Sequence, residues 1–377
     1  MISRRHALVS AGIATAAVLG IGGLPAASAA PAPLIIAVEA PLTGSQAANG
    51  KDMLRGVILA AREVNARGGV LGHPVKIVRI DDKADPALAK SSVAKAKRAG
   101  AFAVVGPYNS SVGVINLPLY LKNSIAPVHM TSTNDTDGEG VTVQPKNNQI
   151  SPVESTYVLS TGTASVAMLV DPSTYTQGMA DRLASSLTSQ GVSVTQIPIA
   201  EGQADYTSEV AQALATSPGL LYSSTYYPEG SKIAIAIEAA TTASSTKCLM
   251  GLANVDPTFV TDAGLAASQR CVFSGVPTAA QMPGKRAAAY VRAYERAFDK
   301  EPGVWGIFTY DSARLLFASI ERAGRTTFDS ALAKLKHTRN YAGATGTITI
   351  DPDTGNRRVV PVYILDVDDA GEFVVIQ

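Results

Sequence analysis

Little in this sequence points to catalysis or to a charged partner. Of 377 residues, four are histidine, two are cysteine and one is tryptophan, and the charges nearly cancel at a net +1. His6, His73, His129 and His337 have no metal-ligand spacing, so no metal centre is expected, and nothing else calls for a cofactor. Asp81, Asp82 and Asp85 lack the spacing and central glycine of a calcium loop, and Asp85 before Pro86 reads as a helix start. No basic stripe interleaved with aromatics appears, which makes nucleic acid a poor partner. P-loop, dinucleotide and Gly-x-Ser-x-Gly signatures are also missing. Beyond the first thirty residues no run approaches about 18 uninterrupted apolar residues, so no membrane insertion is expected. Cys248 and Cys271 each open a short apolar run. They read either as a disulfide between neighbouring strands in an oxidising compartment or as two buried thiols.

What is present is apolar surface and a clear start. A hydrophobic fraction of 46% and a mean hydropathy of +0.14 support a large core, and the length favours two domains at roughly 100 to 200 residues each. Residues 1–29 read as an export signal: Ser3-Arg4-Arg5-His6 is a charged start, 11–24 an apolar stretch, and Ala27-Ser28-Ala29 a cleavage site. The paired arginines resemble a twin-arginine signal, but Ala7 stands where that pattern has Phe, which leaves the export route open. No cysteine follows the cleavage region to carry a lipid. A soluble periplasmic or secreted protein, most simply a monomer, is the expectation.

The chain is organised around residues 101–134, two strand-to-loop units in succession. Residues 101–105 form an apolar run stopped by Gly106-Pro107, with Ser110 and Ser111 placed to cap a helix; residues 125–130 form a second run, ending in Thr131-Ser132-Thr133-Asn134. Before them come strand 34–38, helix 50–66, strand 75–80 and helix 85–99, a β-α alternation that predicts a mostly parallel sheet covered on both faces. The polar stretch 138–153 reads as an irregular crossing. A second alternation follows, with strands 165–170, 192–197, 219–223, 247–250 and 270–274 and helices 177–189, 206–215 and 229–240. Residues 283–337 are helical, and 345–350, 359–366 and 373–376 are strands, with Asp351 to Gly355 as a hairpin turn. The fold class is therefore α/β, with two doubly wound lobes and a cleft between them.

In open parallel sheets, ligands sit beyond the carboxyl ends of the strands, and a helix N-terminus there suits an anion. Ser110 and Thr133 either serve such an anion or merely cap helices. Tyr175 and Tyr226 follow or end strands on the cleft side and offer ring surface with a hydroxyl. Tyr227 reads equally as core or cleft, and His129 as a buried strand-end histidine with a structural hydrogen bond. Asp205 and Glu229 read as helix starts, while Trp305, Phe308 and Tyr310 are expected to pack the first lobe.

Several short pieces, in order over most of residues 34–340, resemble one family. They are Pro41-Leu42-Thr43-Gly44, Asn65 to Gly72, Asp81 to Pro86, Val105-Gly106-Pro107 with Ser110-Ser111, and Thr131 to Asn134. Tyr175 with Gly178, Asp205-Tyr206 and Tyr226 to Gly230 continue the match. The family is the type I periplasmic solute-binding proteins of ABC importers, in the leucine/isoleucine/valine-binding branch. The resemblance implies two lobes joined by a three-crossing hinge, the first from 34–134 plus 278–337 and the second from 135–277 plus 338–377. It implies that Ser110, Thr131 and Thr133 hold a ligand carboxylate while Tyr175 and Tyr226 close over it, for delivery to a membrane permease rather than for catalysis.

Two positions depart from the pattern. Asn49 falls where the branched-chain proteins place an aromatic, and Ala253 falls where amino-acid-binding members carry the Glu that receives the ammonium. A buried ammonium needs an acceptor. Either Asn254 or Asp256 replaces the Glu, or the ligand is an amine-free aromatic or aliphatic acid. A sensor that signals by the same closure is the rival reading. An exported hydrolase with Ser110 as nucleophile is the remote one, since Ser110 lacks the flanking glycines of an elbow.

Overall fold

Short apolar strands alternating with helices build two sheets in the computed structural model, which describes residues 1, 31–240 and 246–377. The signal read over 1–29 lies, apart from Met1, outside the described residues. In chain order the elements are β1 Leu34–Ala40, α1 Ala47–Asn65, β2 Val75–Asp81, α2 Ala89–Arg98, β3 Ala103–Val105, α3 Ser110–Lys122, β4 Ala126–His129 and β5 Val141–Thr142. Then come α4 Asn147–Ser160, β6 Ser165–Val170, α5 Thr174–Ser189, β7 Ser193–Pro198, α6 Thr207–Ala215, β8 Leu220–Ser224, α7 Glu229–Ala239 and β9 Lys247–Met250. The rest is α8 Pro257–Ala263, α9 Leu265–Gln269, β10 Cys271–Gly275, α10 Lys285–Phe298, α11 Gly306–Ala323, α12 Phe328–Lys336, β11 Tyr341–Gly343, β12 Gly346–Ile348, β13 Tyr363–Val367 and β14 Phe373–Val375.

The first sheet runs β2-β1-β3-β4-β5, all parallel. The second runs β14-β13-β10-β9-β8-β6-β7, parallel except for β13 and β14. In each, the first strand lies between the second and the third, so the chain reverses direction across the sheet and leaves a crevice at the strand ends. Side-chain alternation fills both faces. Along β6, Val166 and Met168 pack under α4 and α5, whereas Ala167 and Leu169 face the side covered by α6 and α7. Gly56 lets α1 lie against α11, where a Cβ would come within 2.0 Å of the Gly306 carbonyl oxygen.

Two expectations need correction. The stretch read as irregular contains helix α4, whose buried positions include Asn147, Ser151, Glu154 and Ser155, so it has little apolar periodicity to betray it. The strand expected over 345–350 is half of a short hairpin, with β11 pairing β12 around Ala344 and Thr345, and the strand expected from 359 begins at Tyr363.

Cys248 and Cys271 are direct partners in the parallel register of β9 and β10, and a disulfide joins them with Cα atoms 4.4 Å apart. Closing a loop of sequence separation 23 restricts the unfolded chain, which the chain-entropy model values at about 3 kcal/mol. Replacing both by serine is therefore expected to lower unfolding free energy in urea by about 3 kcal/mol. Reductant should do the same to the unaltered protein. A double variant as stable as the oxidised protein would show that the bridge adds nothing.

Candidate functional site

Both sheets end at one partly open cavity. From the first come Tyr108, Ser110, Met130, Ser132, Gln144 and Trp305; from the second come Tyr175, Tyr226, Leu252 and Ala253. They surround about 220 Å³ of atom-free space, part of it open to solvent.

The first-sheet wall begins where β3 stops. Gly106 turns with φ at +110°, and a Cβ there would lie 1.9 Å from the Glu39 carbonyl oxygen, so only glycine lets the chain pass under β1. The next residues bring Tyr108 and Ser110 to the start of α3. Neither Asn109 nor a serine side chain caps that helix. Ser110 Oγ instead accepts from the Thr133 N–H at 3.3 Å and faces the cavity. Ser111 reaches the other sheet, accepting from the Thr174 N–H (3.0 Å) and donating to its hydroxyl (3.2 Å). α3 is tied to β1 by Asn116 Nδ2 (2.7 Å) and the Tyr120 hydroxyl (2.8 Å), both donating to Glu39. Burial, and then the nearby Asp82, push the Glu39 carboxyl up to about 8, and burial takes Asp82 to about 7.

After β4 the side chains alternate, so Met130 and Ser132 turn to the cavity while Thr131 and Thr133 do not line it. The Thr131 hydroxyl meets His129 Nδ1 (2.9 Å) and Thr136 Oγ1 (2.7 Å). Thr133 caps the turn that follows, accepting from the Asp135 N–H at 3.3 Å. His129 is kept neutral by burial and by Lys146, which push its pKa well below the usual value. Lys146 is itself lowered to about 8 by burial, against the pull of Asp137 at 3.2 Å.

Four aromatic rings complete the wall. Tyr175 meets Tyr226 at 5.3 Å between centroids, Tyr226 meets Tyr108 edge-on at 5.9 Å across the sheets, and Tyr108 meets Trp305 at 5.8 Å. The expectation that Trp305 only packs the first lobe is thus corrected. Its loop is held from α1 by Asp52, which accepts from the Tyr294 hydroxyl (2.8 Å) and from the N–H groups of Gly303 (3.1 Å) and Gly306 (2.5 Å). Asn49, on the same helix, lies in a separate groove with Asp52, Asp256 and Lys300. Burial raises the pKa of the Tyr108, Tyr175 and Tyr226 hydroxyls, so all three are neutral hydrogen-bonding groups.

Ala253 sits in a rigid loop. Its carbonyl accepts from the Tyr227 N–H at 3.1 Å, and Asn254 Nδ2 donates to the carbonyls of Thr225 (3.0 Å) and Gly251 (3.2 Å). Asp256 caps α8 through the Thr258 N–H (2.8 Å) and hydroxyl. Both candidate replacements for a ligand-binding Glu are therefore engaged in the loop itself, and neither lines the cavity. No charged side chain does. The nearest acids lie one layer back. Glu154, for example, receives the Tyr222 hydroxyl (3.0 Å) and the Ser274 hydroxyl (2.5 Å), and burial pushes it up to about 7. Among the described residues, no cluster of three or more His, Cys, Asp or Glu is placed to hold a metal ion, and no helix is long and apolar enough to cross a membrane.

Two doubly wound sheets with a shared cavity at their strand ends define a solute-binding protein of the type I, cleft-bearing kind. The chain belongs to the periplasmic binding protein family, whose model matches residues 33–372. It is 27% identical over 337 residues to the Leu/Ile/Val-binding protein BraC3 of Rhizobium johnstonii, covering 87% of this chain and 90% of that one. Its fold is similar to that of a leucine binding protein, LivK, from Thermotoga maritima (TM-score 0.83, 23% identical, covering 91% of this chain and 98% of that one). It is also similar to a solute binding protein of an ABC transporter from Rhodopseudomonas palustris in complex with 3,4-dihydroxy benzoic acid (TM-score 0.81, 20% identical, covering 91% and 96%).

Proposed function

We propose that this protein captures a small amine-free carboxylic acid, aromatic by preference, between its sheets and presents the closed form to the permease of an ABC importer. The observation that carries this is the lining: four aromatic rings and neutral polar groups, with Ala253 where an ammonium acceptor would stand. The ligand carboxylate would meet Ser110 at the N-terminus of α3, where free N–H groups favour an anion. A neutral amino acid is the second reading, supported by buried carboxylates such as Glu154 one layer behind the rings.

The two sheets would move as lobes that close on the ligand, driven by contacts that exist only when both touch it. Residues 135–142 and 338–357, expected in the second lobe, contact the first sheet: β5 pairs with β4, Asp311 of α11 accepts from the Ala344 and Thr345 N–H groups at 2.8 Å, and the Arg357 N–H meets the Thr142 carbonyl at 3.0 Å. Two of the three crossings would then fall near 143–147 and 357–362.

The test is a thermal-shift screen of the protein against benzoate, 3,4-dihydroxybenzoate, leucine and isoleucine. A ligand at 100 times its Kd stabilises the fold by about 2.7 kcal/mol, so binders raise the Tm. Stabilisation by the acids alone supports the first reading, and by the amino acids alone the second. Ser110→Ala should weaken the binder found by roughly 1.5 to 3 kcal/mol, the scale of a hydrogen bond to a charged group. Unchanged affinity would remove the carboxylate anchor.

A further inference from the structure

Gln144 lies between β5 and α4 on the cavity wall and is 2% exposed. Its Nε2 donates to the Met130 carbonyl and, at 3.0 Å, to Ser132 Oγ, two groups on the same wall. A flipped amide would set Oε1 against the Met130 carbonyl oxygen, acceptor against acceptor, so the orientation is fixed by chemistry. That leaves Oε1 buried and without a hydrogen-bond partner. An unsatisfied buried acceptor is costly, and buried polar atoms in folded proteins are nearly always paired. A donor on a bound ligand would pair it.

We infer that Gln144 is a specificity-determining residue whose Oε1 accepts from a hydroxyl on the ligand, so the cavity selects ring-hydroxylated carboxylic acids over plain ones. This rests on the cavity reading above. In this pose the carboxylate would lie toward Ser110, the ring among the four aromatics, and the hydroxyl against the amide. A site with a buried group built to bond a ligand hydroxyl strongly rejects the analogue without it, because the group is left unpaired. Beside the amide, Ser132 Oγ already donates to the Pro145 carbonyl at 2.8 Å and accepts from Gln144, so it is engaged within the wall while Oε1 is not.

The experiment measures affinities of the unaltered protein and of Gln144→Met for benzoate, 4-hydroxybenzoate, 3,4-dihydroxybenzoate and leucine by calorimetry. Gln144→Asn, which withdraws the amide by one methylene, serves where the Met variant does not fold. The unaltered protein is expected to prefer a hydroxylated acid over benzoate at least tenfold. Gln144→Met should bring the ratio of hydroxylated-acid to benzoate affinity down to about one, whatever it does to the absolute affinities. Equal discrimination in the variant, or no preference in the unaltered protein, overturns the inference. If leucine alone binds, the amine-free reading fails; the role of Gln144 as acceptor then stands only if Gln144→Met weakens leucine at least tenfold, and falls if it does not. Binding of none of the four probes overturns both.

Discussion

Ala253→Glu is expected to abolish binding of amine-free acids. The new carboxylate would enter a small cavity with no charged side chain on its wall, facing the carboxylate of the ligand. Breaking the charge balance of a buried site in this way costs about 3 to 5 kcal/mol, a loss of roughly a hundred- to a few thousand-fold in affinity. For a neutral amino acid the sign reverses, since the added Glu would receive the ammonium. Titrating the variant with benzoate and leucine by calorimetry reads both effects at once. If benzoate binds the variant as before, position 253 does not face the ligand and the alignment of this loop with amino-acid-binding relatives is wrong. The loop is stiff enough to make the test clean. A Cβ on Gly230 would lie 1.9 Å from Asn254 Oδ1, so α7 and the loop are in direct contact and leave the new side chain little room to turn away.

Glu39→Gln is expected to stabilise the protein progressively as pH rises. Burial and Asp82 raise the Glu39 carboxyl from its ordinary 4.5 to about 8, so between these values the folded chain holds a proton that the unfolded chain has released. Stability therefore falls with rising pH across that window, at about 1.4 kcal/mol per pH unit for one proton. The amide of Gln imitates the protonated carboxyl, its oxygen accepting from both Asn116 and Tyr120 as one carboxyl oxygen does now, and it has no proton to lose. The gap between variant and unaltered protein should be near zero at pH 4.5 and grow to as much as ~5 kcal/mol at pH 8. Taking the difference of two curves cancels His129 and Lys146, which titrate in both proteins. Urea melts at five pH values measure it, and parallel curves would show that Glu39 does not titrate in this range.

The fold was legible because strands buried on both faces make short apolar runs, and strands 165–170 and 247–250 read from the sequence coincide with β6 and β9. Helix α4 was hidden for the opposite reason: its buried positions include Asn147, Glu154 and Ser155, which pair with polar groups of other elements instead of making an apolar stripe. At the site, Ser110, Tyr175, Tyr226 and Ala253 meet in one cavity because each follows a strand end directly. Of the Thr-Ser-Thr run only Ser132 lines the cavity, since one residue of register in an extended segment exchanges cavity for core. Trp305 and Gln144 carried no local signal. The first is placed by Asp52, some 250 positions away in the chain, and the second by carbonyl and hydroxyl groups that arrive from β4.

The lone tryptophan has a practical consequence. Trp305 is 2% exposed and stacks at one end of a row of rings whose middle contact, Tyr108 to Tyr226, spans the two sheets. Parting the sheets breaks that row and wets the indole, so its emission shifts to the red and quenchers reach it. If the lobes close on the ligand as proposed, the indole is an optical gauge of that motion. Stopped-flow mixing with selective excitation of the indole would follow the proposed capture in real time, with no dye attached and no second tryptophan to subtract.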